Sequence, residues 1–226
     1  MMRAKLCGIR SKRDLEIAIA SGTDAIGLIC GITHVSEDAL SPDDARRLAR
    51  LTPPFVSTVL VTHLLDATEI IDLADYVAAD TIQVHGPVTT DTLASVSARA
   101  RGRRIIKAVH VLGPEAKDQA LQLAELCDAI LVDSRTRDRL GGTGRTHDWT
   151  ISRQVSDALR ERNHPLILAG GLRPDNVAEA VRAVQPFAVD VNSGVDDENG
   201  DKIADRCAAF VSRAREALAK PVAPSP

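Results

Sequence analysis

Short runs of β-branched and aliphatic residues alternate with amphipathic stretches along the chain. The runs predicted as strands are Lys5–Gly8, Ala25–Ile29, Thr58–Val61, Thr81–His85, Arg104–Val109, Ala129–Asp133, Pro165–Gly170 and Phe187–Asn192. They lack clean apolar–polar alternation, as expected of parallel strands covered on the outside by helices. The stretches between them carry helical stripes. Leu15, Ala18 and Ile19 share a face, with Gly22 as a stop. Ser41-Pro42-Asp43-Asp44 reads as an N-cap, a proline at the first helical position and an acidic first turn. Asp66 and Glu69 resemble a capping box ahead of Ile70, Leu73, Ala74 and Val77. Later stripes run through Ile151, Val155 and Leu159, through Val177, Ala180, Val181 and Val184, and from Ile203 through Cys207, Phe210, Val211 and Ala214 to Leu218.

Eight strands alternating with eight helices at roughly even spacing predict an α/β (β/α)8 TIM barrel, eight parallel strands with outer helices. An open doubly wound sheet is the alternative. No internal linker interrupts the pattern, so residues 1–218 are expected to form one domain, with residues 219–226, rich in Pro and Ala, as a disordered tail.

Composition narrows the function classes. The 226 residues carry a formal net charge of −3 and only 2 % aromatics, with Lys and Arg scattered, so neither a basic stripe nor a base-stacking surface exists for nucleic acid. No apolar run reaches the roughly 20 residues of a membrane helix, and the N-terminus lacks a signal-peptide core. Cys7, Cys30, Cys127 and Cys207 lie far apart, without a CxxC pair or a neighbouring His at ligand spacing. Reduced thiols and a cytoplasmic setting are expected, with no structural zinc.

In such a barrel, function collects where the strands end and their loops converge. The polar residues there are Cys7, His85, Lys107, Asp133 and Ser193, with Asp190 just inside the last strand. Gly141-Gly142-Thr143-Gly144, Gly170-Gly171 and Ser193-Gly194 follow the last three strands. Glycine lets backbone N–H groups approach an anion, so Gly142, Gly144, Gly170, Gly171, Ser193 and Gly194 are candidate phosphate-binding residues.

Six segments together resemble phosphoribosylanthranilate isomerase: Lys5-Leu6-Cys7-Gly8-Ile9, Gln83-Val84-His85-Gly86, Leu131-Val132-Asp133-Ser134, the run from Gly141 to Trp149, the run from Leu168 to Val177, and Asp190-Val191-Asn192-Ser193-Gly194-Val195. They occur in family order from Lys5 to about Phe210. The resemblance implies an Amadori aldose–ketose isomerisation in tryptophan biosynthesis, with Cys7 as general base and Asp133 as general acid. It implies a small phosphorylated aminosugar substrate, His85 and Asp190 among the substrate-binding residues, no cofactor and no metal. The protein is expected to act as a monomer or homodimer. Alone, Cys7 reads as a core thiol and Asp133 as a loop cap; the surrounding motifs turn both toward function. Cys30, Cys127 and Cys207 are expected to pack, Trp149 to anchor a helix start and His147 to be solvated.

One stretch departs from the family pattern. The family's Ser-Arg-Tyr-type segment after strand two, whose Arg is expected to hold the anthranilate carboxylate, is replaced by Gly31–Leu40, which contains no Arg and adds Glu37 and Asp38. Leu28 and Cys30 stand for family aromatics, and Leu60-Val61-Thr62 for Phe-Val-Asn. Arg10, Arg135 and Arg145 are candidate substitutes for the Arg. Three readings follow. The first is phosphoribosylanthranilate isomerase with a relocated carboxylate contact. The second is a divergent isomerase of another phosphorylated aminosugar. The third is a non-catalytic phosphometabolite-binding barrel, against which the retained Cys7 and Asp133 count.

Overall fold

The computed structural model describes residues 1–32, 38–133 and 149–218. Its strands are β1 (Arg3–Leu6), β2 (Ala25–Ile29), β3 (Ser57–Thr62), β4 (Thr81–Val84), β5 (Arg104–His110), β6 (Ala129–Asp133), β7 (Leu166–Ala169) and β8 (Ala188–Val191). All neighbours pair in parallel, and β8 returns to β1, so the sheet is closed in sequence order and the open-sheet alternative is excluded. Helices α1 (Lys12–Ala20), α2 (Pro42–Leu51), α3 (Ala67–Val77), α4 (Thr90–Arg99), α5 (Ala116–Leu123), α6 (Trp149–Glu161), α7 (Val177–Val184) and α8 (Ala204–Glu216) follow their strands.

The expected caps at Ser41 and Asp66 are present, although Glu69 makes no reciprocal bond among the described residues, and a further cap at Ser11 was not read from the sequence. Ser11 and Asp14 form a reciprocal capping box on α1, and Gly22, at φ +78°, ends the helix region. Ser41 caps α2 ahead of Pro42, and Asp66 accepts from the backbone of Thr68 and Glu69 on α3. The last helix stops at Glu216, two residues short of the predicted stripe, and Leu218 beyond it is exposed. Trp149 is buried at the start of α6, as expected. The 219–226 tail lies outside the described residues.

Strand alternation divides the core in two. One set, including Val59, Val61, Ile106, Ala108, Leu131 and Ile167, fills the barrel interior together with Cys7. The other set, including Leu6, Leu28, Leu60, Ile105, Val109 and Val189, packs outward against the helices. At the end away from the loops that follow the strands, three carboxylates repeat one device. Asp24, Asp80 and Asp128, each just before an even-numbered strand, accept from the backbone N–H of Ala4, Thr58 and Ile105 at 2.9, 2.8 and 2.8 Å. Each ties the start of one strand to its neighbour, which leaves the opposite face for chemistry.

Candidate active site

A cavity of about 380 Å³ opens at the C-terminal ends of the strands. The topology orders its wall. Passing from β6 through β7 and β8 to β1, the rim presents Asp133, Gly170 and Gly171, Ser193 and Gly194, then Cys7. The other arc, over β2 to β4, presents Ile29, Val61, His63, Gln83 and His85. Two ionisable groups thus flank a glycine-rich end, and a more apolar, histidine-bearing arc faces it.

Cys7 stands one residue past β1, with the inward parity of Lys5, and is 5 % exposed. Lys5 is buried beneath it and donates to both oxygens of Asp190 at 3.0 Å, across a β1–β8 register that pairs these two residues. Burial opposes the ammonium charge, but Asp190 and Cys7 outweigh it and hold Lys5 above the ordinary lysine range. For the thiol the balance reverses. Burial pushes the Cys7 pKa up, and the nearby Lys5 ammonium only partly offsets it. Room for this group comes from β2. A Cβ on Gly27 would lie 2.6 Å from the Cys7 sulfur and 3.0 Å from Lys5 Nζ.

Asp133 ends β6 facing inward and is 6 % exposed. His85 Nε2 lies 3.8 Å from its Oδ2, and His85 Nδ1 lies 3.3 Å from the Gln83 amide nitrogen. Burial first, then the neighbouring His63 and His110, lower the His85 pKa to about 3, so the imidazole is neutral at physiological pH. His63 stacks on His85 with ring centroids 4.8 Å apart, and His110 meets His85 edge-on at 5.3 Å.

Gly170 and Gly171 turn the chain after β7 with φ of +87° and +63°, a region costly for residues with a Cβ. Asn176 braces this turn, accepting from Arg173 N–H at 2.8 Å and donating to the Gly171 carbonyl at 3.0 Å. The 3₁₀ turn Ser193–Val195 packs directly on it, because a Cβ on Gly194 would collide with the Leu172 carbonyl oxygen. Gly142 and Gly144 lie outside the described residues, as do Glu37, Arg135, Arg145 and His147.

Two sequence expectations are corrected. Lys107 does not reach the mouth. It has the outward parity of Ile105 and Val109, and its ammonium donates to the carbonyls of Val84, Gly86 and Ala108. Arg10 is not the missing cation of the cavity, since its guanidinium donates to the Asn199 carbonyl and to Asp201, each at 2.8 Å. Asp38 does line the cavity, where it accepts from Asn192 Nδ2 at 2.8 Å. Gly27, His63 and His110 went unnoticed in sequence. Their signal was parity: each lies on an inward-facing position of a strand or just beyond one.

Residues 4–213 match the family described as N-(5'phosphoribosyl)anthranilate (PRA) isomerase. A curated relative from Methanothrix thermoacetophila, named N-(5'-phosphoribosyl)anthranilate isomerase, is 40 % identical over 215 residues, covering 95 % of this chain and 99 % of its own. The crystal structure of phosphoribosyl anthranilate isomerase from Thermotoga maritima superposes with a TM-score of 0.82 at 35 % identity, over 96 % of this chain and 100 % of that one. Another crystal structure of such an isomerase, in complex with reduced 1-(o-carboxyphenylamino)-1-deoxyribulose 5-phosphate, superposes with a TM-score of 0.79 at 33 % identity, over 96 % and 100 %.

Proposed function

The chain belongs to the N-(5'-phosphoribosyl)anthranilate isomerase family, and from that membership we propose that its barrel mouth converts N-(5'-phosphoribosyl)anthranilate to 1-(o-carboxyphenylamino)-1-deoxyribulose 5-phosphate by acid–base catalysis. The observation that carries the reading is the order of the rim: Asp133, two glycine turns, Cys7. A phosphate seated on Gly170, Gly171, Ser193 and Gly194 sets the sugar between the two ionisable groups. The amine then extends toward Ile29, Val61 and His63 on the far arc.

In this mechanism the Asp133 carboxyl donates its proton to the furanose ring oxygen. The ring C–O bond breaks as the amine lone pair forms a protonated Schiff base at C1. Cys7, as thiolate, removes the C2 proton, and the electron pair neutralises the iminium to give the enolamine. Tautomerisation moves a proton to C1 and takes one from the C2 hydroxyl, so acid and base regain their starting states and the reaction is a net isomerisation. The positive iminium forms in a buried cavity, where opposite charge favours a thiolate that burial alone disfavours. His85, neutral with its Nε2 3.8 Å from Asp133 Oδ2, adds no competing charge beside the acid.

Asp38, which lines the cavity bonded to Asn192, favours a second reading, in which a cationic or neutral amine replaces anthranilate. The test is the loss of substrate fluorescence when phosphoribosylanthranilate, made in situ, meets the folded protein. Turnover supports the proposed reaction. A folded protein that leaves this substrate untouched sends the assignment to the second reading.

A further inference from the structure

We propose that His85, His110 and Asp133 form a transition-metal site that takes Zn²⁺ and, when filled, switches the isomerase off. The three are 25 and 23 residues apart in sequence. The barrel brings them together because β4, β5 and β6 are adjacent and all three side chains have inward parity at the strand ends. His110 and Asp133 are direct register partners. One donor atom from each lies within 4.8 Å of the others. In a tetrahedral zinc centre with bonds of about 2.0–2.1 Å, ligand atoms sit about 3.3 Å apart, so closure needs a contraction of about 1.5 Å at most. His110 is exposed, and a change of its side-chain rotamer can supply that movement.

The donor set fits zinc: two imidazoles and a carboxylate, with a water as the fourth ligand. A second observation supports it. Gln83 is 2 % exposed, and its amide oxygen accepts no hydrogen bond among the described residues, while its nitrogen lies against His85 Nδ1. Turning the amide over places that oxygen where it accepts a hydrogen bond from Nδ1–H. His85 is then fixed in the tautomer whose Nε2 lone pair points toward Asp133, the outer-sphere arrangement that orients metal-binding imidazoles. Stacking on His63 holds the ring in place.

The binding claim stands on this geometry alone. The inhibition claim rests on the reading of Asp133 as general acid, because a carboxylate bound to Zn²⁺ has no proton to give. The test uses the full chain, stripped with a chelator and titrated with Zn²⁺ by calorimetry, with isomerase activity followed in parallel. One ion per chain is expected, with binding weakened by at least about tenfold in His110→Ala and unchanged in Cys7→Ser. Wild-type activity should fall over the same zinc concentrations and return on chelation, while His110→Ala keeps its activity and resists zinc. Binding that survives His110→Ala, disappears in Cys7→Ser or is absent altogether overturns the site. Binding as expected with undiminished turnover overturns the inhibition. A chain inactive before any zinc is added would contradict the proposed isomerase while the calorimetry still decides the site.

Discussion

Cys7 is the residue on which most of the surrounding structure bears. Lys5 sits under it, Asp190 neutralises Lys5, and Gly27 leaves the space that Cys7 and Lys5 occupy. Because burial outweighs Lys5, the free protein holds a thiol through neutral pH. The thiolate absorbance difference between wild type and Cys7→Ser should therefore rise with a midpoint above the ordinary cysteine value of about 8.5. A midpoint below that value would mean that Lys5 dominates burial. Gly27→Ala tests the space itself. A methyl group 2.6 Å from the sulfur displaces Cys7 or Lys5, and such overpacking costs about 1–3 kcal/mol. Reduced thermal stability together with a loss of turnover of about tenfold or more is expected, since small misplacement at a reacting centre is costly. Wild-type turnover in Gly27→Ala would show that the thiol is not confined as described.

Elements, more than single residues, make the glycine-rich end of the cavity. The turn after β7 and the 3₁₀ turn after β8 pack so closely that Gly194 has no room for a Cβ against the Leu172 carbonyl. Gly194→Ala must push the two turns apart. If the proposed phosphate seat is right, it should raise KM and weaken competitive inhibition by inorganic phosphate, with a smaller effect on kcat, because contacts to an unreacting phosphate are made equally in ground and transition states. A variant that lowers kcat alone would place Gly194 in positioning the reacting atoms instead. The sequence pattern made the elements largely readable, because strands buried on both faces and helices with Ser, Asp and Pro starts leave local signals. It left Lys107 on the wrong side of the barrel. Which face a strand residue takes depends on register and parity, and Lys107 satisfies its ammonium with carbonyls of its own and the neighbouring strand, a partnership invisible in one segment. His63 and His110 were missed for the same reason: as separate residues they carry no motif, and only ring closure stacks one on His85 and sets the other edge-on to it.

At the scale of the whole molecule, the barrel separates stability from chemistry. One end is tied by the repeated carboxylate-to-backbone bonds of Asp24, Asp80 and Asp128, which no sequence motif announced. The other end gathers Cys7, Asp133 and the glycine turns from strands that are remote in sequence. The place of Cys7 and Asp133 at the cavity was legible because whole motifs surround them, whereas Arg10, a candidate substitute for the absent Arg, is bound to Asn199 and Asp201. The central claim is that Cys7 and Asp133 act as base and acid on one substrate. It is tested most directly by following phosphoribosylanthranilate fluorescence with wild type, Cys7→Ser and Asp133→Asn under identical conditions. Turnover by wild type, with a fall of about a hundredfold or more in kcat for each folded variant, is the predicted result. Near-normal turnover by either variant would contradict the account by removing that residue from the reaction.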